Sequence, residues 1–309
     1  MALYNVGQLI KSLRTQKGIK QDELAQGIMD RTTLSKIERG IAMPSKTNLD
    51  ALFEKLGYNP NLITNIFMTS AEIEIQNLKD ELAVYLVQQR TTEAESLLAQ
   101  FEKDKRFLSH PLNKQWLIQM QITNEMNKGT KTKDIIFQLH AGLELTIPNF
   151  DEKKIADYLL SVQELRLINM IANYYILNSD WKSAYEIFFS LKSNVDSRSI
   201  DLDEKGMRYP FIISNLTRTL LELHKYEEVL SICEEGIKIC LETARLSVLP
   251  SISWNKVVAL FELGKLKEAQ DLARDVYHTY SLFQLQSEKE QFKNYAENKL
   301  GVVFKEINN

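Results

Sequence analysis

Arg31, Thr32, Thr33, Ser35 and Lys36 put a guanidinium, three hydroxyls and an ammonium within one short stretch of chain. The chemistry open to that set is the reading of nucleic-acid base edges. A guanidinium pairs bidentately with O6 and N7 of guanine, and a threonine offers its hydroxyl to bases or its methyl to thymine. A lysine at the end of the run suits a phosphate. Such groups work only if one helix face presents them while the opposite face is docked. Leu34 and Ile37 supply the docking stripe, and Asp30 just before the run is a good N-cap.

The neighbouring elements can do the docking. Val6, Leu9, Ile10 and Leu13 recur at helical spacing in a first helix that ends at Gly18. Lys20–Ile28 reads as a second helix with Leu24, Ala25 and Ile28 inward, and Arg31–Arg39 as a third that closes at Gly40. Pro44 and Ser45 lead into Thr47–Leu56, where Leu49, Leu52, Phe53 and Leu56 face in. Ser45 and Lys46, at the entry to that fourth helix, are further candidate DNA contacts.

The series Gln21-Asp22-Glu23-Leu24-Ala25, Leu34-Ser35-Lys36-Ile37-Glu38-Arg39-Gly40 and Pro44-Ser45 resembles the lambda-repressor/Cro-like (Xre) helix-turn-helix family over residues 5–57. The resemblance implies that Gln21, first in helix two, contacts DNA backbone or base. It also implies that Arg14 and Glu38 form an internal ion pair, structural and not DNA-binding. The turn between the second and third helices is one residue shorter than the commonest Xre spacing. In that respect Gln26-Gly27-Ile28-Met29 looks like the heads of peptide-pheromone regulators.

Charge agrees with this division. Residues 1–69 hold nine Lys/Arg against six Asp/Glu, whereas the remainder holds 29 against 35. A basic head on an acidic body puts the attraction for phosphate where the motif lies. With 44% apolar and 26% charged residues, the chain of 309 residues is long enough for two globular domains. Cys233 and Cys240 lie seven apart on one predicted helix. A disulfide there would span roughly 10 Å, too far for the bond, so both read as reduced core residues of a cytoplasmic protein. The first residues show no secretory signal, and no long apolar run spans a membrane.

Beyond Gly57-Tyr58-Asn59-Pro60, Leu62, Ile63, Ile66 and Phe67 form an apolar element suited to a dimer contact. From Glu72 the chain repeats itself. Leu223-His224-Lys225-Tyr226-Glu227-Glu228-Val229 returns 40 residues later as Leu263-Gly264-Lys265-Leu266-Lys267-Glu268-Ala269, and Asp180-Trp181-Lys182-Ser183-Ala184 is an earlier copy. Helix, polar turn, aromatic or aliphatic residue, small residue, helix is the grammar of tetratricopeptide (TPR) repeats. The units fall at about 72–108, 112–147, 155–195, 207–246 and 251–284, with a closing helix over 287–304. Such units stack into a right-handed superhelix whose concave wall is made by the first helix of each pair. Asn215 and Asn255 both lie 11 residues before the turn-proximal hydrophobe, so they occupy equivalent positions on that wall. A side-chain amide offers donor and acceptor together, which matches a peptide unit. Asn169, Asn173, Phe211, Arg218 and Trp254 should share the wall. The asparagines could hold a peptide backbone, Arg218 a carboxylate, and the aromatic rings apolar side chains.

No catalytic or metal constellation accompanies these features. His110, His140, His224 and His278 are scattered among different repeats, and the chain has no phosphate loop, nucleophile elbow or His-Glu-x-x-His. Neither an enzyme nor a cofactor is expected. The architecture is therefore all-α: a Cro-like helix-turn-helix bundle over 1–57, a linker over 58–71 and a TPR-like superhelix over 72–309. That combination resembles the RRNPP group of peptide-responsive regulators (Rgg-, PlcR- and PrgX-like) over essentially the full length. The resemblance implies a cytoplasmic, homodimeric transcription regulator of a Gram-positive bacterium. It would bind a two-fold-symmetric operator in double-stranded DNA, with a short peptide pheromone held in the TPR body, which also serves dimerisation. Two other classes fit the same features. One is a peptide-independent phage or mobile-element repressor whose body serves oligomerisation. The other is a Rap-like interaction protein acting on a response regulator.

Overall fold

The computed structural model describes residues 6–60, 70–129, 134–198 and 200–304, all helix and connecting turn without a strand. The apolar element at Leu62, Ile63, Ile66 and Phe67 lies outside the described residues. By its contacts the chain divides into two compact units. The first comprises Met1–Tyr174 with Ser197–Glu204, the second Tyr175–Asp196 with Lys205–Asn309.

In the first unit, four short helices build the head: α1 (Val6–Gln16), α2 (Gln21–Ala25), α3 (Arg31–Glu38) and α4 (Lys46–Lys55). Each starts or stops where side-chain chemistry dictates. Asp30 accepts the Thr33 backbone N–H at 2.8 Å to begin α3, and Ser45 accepts that of Asn48 at 3.3 Å to begin α4. The Lys55 ammonium donates to the Gln26 carbonyl at 2.7 Å, placing a cation on an otherwise orphaned carbonyl just past α2. Ile10, Leu24, Leu34, Ile37, Leu49, Leu52, Phe53 and Leu56 are fully buried in one core. Each is worth about 1.5–3 kcal/mol relative to exposure. Gly7 lets α1 lie directly on α3, because a Cβ there would sit 1.8 Å from the Ile37 carbonyl oxygen.

The head core continues into the helices that follow: α5 (Ser70–Val87), α6 (Thr91–Lys103), α7 (Pro111–Asn127), α8 (Asp134–Glu144) and α9 (Val162–Leu177). Leu112 of α7 and Leu159 belong to the same apolar cluster as the head. Polar ties reinforce the seam. The Lys46 N–H donates to Glu72 at 2.9 Å, the Val162 N–H to Glu54 at 3.1 Å, and the Asp201 N–H to the Gly57 carbonyl at 3.0 Å. His110 joins Asn48 at 2.6 Å. Gly27, at φ +74°, lies so close to Thr146 that a Cβ would meet its carbonyl oxygen at 2.5 Å.

The second unit contains α10 (Trp181–Asp196), most of α11 (Leu202–Glu222), then α12 (Tyr226–Glu242), α13 (Leu249–Glu262), α14 (Leu266–Leu282) and α15 (Gln286–Tyr295). A π-turn over Ala296–Leu300 closes it. The repeat seen in the sequence is visible in the backbone. Helices α5, α9, α11 and α13 each end in a left-handed residue, Gln89, Ser179, His224 and Gly264. In each case the next N–H reaches back five residues: Arg90 to Tyr85, Asp180 to Tyr175, Lys225 to Leu220 and Lys265 to Leu260, at 2.8–3.0 Å. This bond is the Schellman closure, which satisfies carbonyls that the helix end would leave orphaned. Cys233 and Cys240 are free thiols buried on α12.

Candidate functional site

The outward face of α3 is built from below. Leu34, Ile37 and Glu38 are buried, which turns Arg31, Thr32 and Lys36 into solvent. Ser35 and Thr33 are half-buried, and the Thr33 hydroxyl donates to the second Asp30 oxygen at 2.6 Å. That bond and the Thr33 N–H hold the Asp30 carboxyl below its ordinary range. The Arg31 Nε lies 3.5 Å from an Asp22 carboxylate oxygen, both side chains being well exposed. An exposed pair of this kind contributes little to stability, so the guanidinium remains free to be redirected.

Beneath the face, Arg14 forks onto Glu38, Nε to Oε1 at 2.6 Å and a terminal nitrogen to Oε2 at 3.0 Å. Its other terminal nitrogen donates to the Ile19 carbonyl at 2.9 Å. Gln21 completes the carboxylate's shell with an Nε2 donor at 2.7 Å. Burial pushes the Glu38 carboxyl up, but the hydrogen bonds from Arg14 and Gln21, with the Arg14 charge, hold it below the ordinary range. The Arg14 guanidinium is raised, first by its bond to Glu38. One shell thus ties α1, α2 and α3 together.

Of the eight candidate DNA contacts, Arg31, Thr32, Lys36 and Ser45 are exposed. Gln21 is half-buried with its amide on Glu38. Lys46 lies elsewhere: its ammonium is paired with Asp50 one turn on, and the side chain is 11% exposed. Arg39 is a surface cation that the sequence reading left out. Its Nε donates to the Ser35 carbonyl at 3.2 Å. Its spacing of four from Ser35 and eight from Arg31, which brings it onto the same face, was the available signal. Ile41 and Met43, in the connection to α4, are apolar yet 65% and 62% exposed.

The candidate peptide contacts fall in both units. Asn169 and Asn173 lie on α9 in the first, where the Asn173 amide donates to the Asn169 carbonyl at 3.0 Å. In the second, Phe211, Asn215 and Arg218 share one face of α11 at spacings of four and three, with Phe211 and Arg218 exposed. Asn255 on α13 spends its amide N–H groups on α11, on the Ser214 carbonyl at 3.1 Å and the Thr217 hydroxyl at 2.9 Å. It is a strut between helices, and its carbonyl oxygen is the atom left for a ligand. Trp254 departs from the expectation. Its ring packs edge-on against Phe292 at 5.2 Å and lies 6.2 Å from both Tyr280 and Tyr295, within the terminal core. Three rings from α14 and α15 outcompete an exposed wall position for so large an apolar surface.

Among the described residues no group of three or more His, Cys, Asp or Glu could hold a metal ion. No described helix is long and apolar enough to cross a membrane.

Residues 10–63 match the helix-turn-helix family model HTH_3. No curated protein sequence matches the chain. Solved structures do. PlcR of Bacillus thuringiensis, in complex with the peptide PapR7 and DNA, is similar with a TM-score of 0.61 at 20% identity, over 94% of this chain and 99% of PlcR. The competence regulator ComR of Streptococcus vestibularis, in complex with its signaling peptide XIP, gives 0.52 at 14% identity, over 96% and 99%. The Streptococcus dysgalactiae SHP pheromone receptor Rgg2(C45S) gives 0.52 at 12%, over 96% and 99%. The chain shares their fold. The likeness runs from the helix-turn-helix head through the TPR-like body.

Proposed function

We propose that this protein is a sequence-specific DNA-binding transcription regulator controlled by a short signalling peptide. The outward face of α3 carries the reading: Arg31, Thr32 and Lys36 stand in solvent on a capped helix whose other side is locked into the head core. This is the division of labour that base recognition requires. Peptide control is supported by the TPR-like body and by what PlcR and ComR hold in their structures. Residues 1–57 then read DNA, 58–71 link, and 72–309 bind peptide and pair two copies in the cytoplasm. A head this small has too little interface for specific affinity alone, so two heads must reach two half-sites. Phe211, Asn215 and Arg218 are the best-placed peptide contacts.

The test is selection of genomic DNA fragments by the full-length protein, with and without culture-derived peptides, beside Arg31→Ala and Lys36→Ala. Arg31→Ala should relax preference at one base pair and cost about 1–3 kcal/mol there. Lys36→Ala should weaken all sequences alike and flatten the salt dependence. Unchanged base preference in Arg31→Ala would remove α3 from the role assigned to it. A second reading, a peptide-independent repressor, draws on Asn255 and Trp254 being engaged in repeat packing. DNA binding that ignores every peptide, in the parent and in Asn215→Ala alike, would select it.

A further inference from the structure

The first unit contains a groove that neither DNA reading nor the asparagine wall uses. It opens between α6 and α8, with α7 as its floor, and has a volume of about 540 Å³. Since α6 and α8 are the second helices of their pairs, it lies away from the wall made by first helices. Its rim carries Glu95, Glu102 and Glu125. The facing cation is Lys128, paired with Glu95 and, at 2.9 Å, with Glu125. Glu102 accepts the Gln121 amide at 2.5 Å. The rim therefore keeps a negative excess.

A second observation is independent of that charge. Asn124 lines the groove and is 1% exposed. Its amide N–H makes a long 3.5 Å contact to the Thr91 carbonyl, and its Oδ1 has no hydrogen-bond partner. Buried side-chain oxygens are almost always bonded, and an orphan calls for a donor from outside the fold. Leu98 and Ile118 provide apolar wall beside it. Phe137, 72% exposed, stands one turn along α8 from the groove-lining Ala141.

We propose that this groove receives an arginine side chain presented by a protein partner. A guanidinium has N–H donors on several sides of one plane, so it can bond Asn124 Oδ1 and a rim carboxylate together. It is also weakly hydrated, so its faces can lie on Leu98 and Ile118, whereas an ammonium keeps its water. Phe137 is placed for an apolar residue next to the arginine. The partner segment is one with an arginine beside a hydrophobic residue and no acidic neighbour.

The experiment is calorimetric titration of the full-length protein with acetyl-Gly-Leu-Arg-Gly-amide, and with the same peptide carrying citrulline or lysine in place of arginine. The arginine peptide should bind saturably at one site and at least tenfold more tightly than either analogue. Glu102→Gln should weaken it at least fivefold without altering the fold, since the residue sits on the rim. Asn124→Leu should abolish the preference for arginine over citrulline while raising the protein's own melting temperature, because the orphaned oxygen is gone. No saturable binding to millimolar peptide, equal binding of the arginine and citrulline peptides, or wild-type affinity in Glu102→Gln would each overturn the proposal.

Discussion

Glu38→Gln is the substitution that most sharply tests how the head is held together. The carboxylate is 3% exposed and accepts three hydrogen bonds, two from Arg14 at 2.6 and 3.0 Å and one from Gln21 at 2.7 Å. The glutamine keeps one acceptor oxygen but turns an NH2 group toward donors. A guanidinium whose side chain is only 11% exposed thereby loses its counter-charge and one of its two bonds to residue 38. Removing one partner of a buried pair costs about 3–5 kcal/mol, because the other charge stays buried without compensation. At about 1.4 kcal/mol per power of ten, amide exchange in α1 and α3 should accelerate roughly 150- to 5,000-fold. Hydrogen exchange read by mass spectrometry on the full-length protein resolves such a change segment by segment. Complete loss of protection across the head is its limiting form. Arg14→Met should cost a similar amount, yet Arg14→Met with Glu38→Leu should cost at least about 2 kcal/mol less than the two single changes added. Acidification supplies an independent check. The folded carboxyl lies below its ordinary value, so its stabilisation is complete above the unfolded value near ~4.3 and fades as pH falls through the folded one. Wild type and Glu38→Gln should therefore differ fully at pH 7, and below about pH 4 their gap should narrow by up to about 1.4 kcal/mol per pH unit. Additivity within about 0.5 kcal/mol, or a gap as wide at pH 3 as at pH 7, would refute the reasoning.

Three further outcomes can be checked. Gly27→Ala forces a side chain into φ +74° and puts its Cβ 2.5 Å from the Thr146 carbonyl oxygen, so thermal unfolding should show a loss of more than about 1–2 kcal/mol. An unchanged melting temperature would show that the turn can leave Thr146 freely. Burial pushes the Cys233 thiol up to about 12 and the Cys240 thiol up to about 11. Iodoacetamide at pH 8 should thus label the native protein at least about a hundredfold more slowly than the unfolded chain, and fast labelling would mean that α12 opens. Asp22→Asn removes a surface carboxylate that stands 3.5 Å from Arg31. Fluorescence anisotropy should show tighter binding to every DNA sequence, by up to about tenfold at low salt. Weaker binding would mean instead that Asp22 positions the guanidinium.

What the sequence made legible is what local chemistry decides. Asp30 caps α3 because a carboxylate three residues ahead of an N–H reaches it without help from the rest of the fold. The left-handed turns closing α5, α9, α11 and α13 lie in the stretches where the repeat is readable, since each is a contact across five residues. Even the start of α9 was encoded. A unit beginning near 155 is expected from spacing, but Glu152–Asp157 is a 3-10 turn and the helix begins at Val162. The signal is the box Ser161-Val162-Gln163-Glu164, in which the Ser161 N–H donates to Glu164 at 2.7 Å and the Glu164 N–H to Ser161 Oγ at 3.3 Å.

Side chains whose fate is decided by distant partners are another matter. Trp254 and Asn255 are consecutive and equally eligible for a ligand wall by helical phase. One is drawn into a core by rings 26 to 41 residues onward, the other onto α11 about 40 residues back. Lys46 was lost partly to Asp50, an i,i+4 pairing that spacing does reveal, and partly to Glu72 across the seam with α5, which it does not. The seam itself illustrates the limit most clearly. Gly27 in the head and Thr146 after α8 are 119 positions apart, and no periodicity links them, yet the close approach is possible only because residue 27 lacks a Cβ. Had the glycine been read as a constraint on what lies against it, and not only as a turn residue, the head would have been expected to share its core with the repeats. In this chain the helices can be read from sequence by their own rules, whereas the surfaces left over for DNA and ligands are whatever long-range packing does not consume.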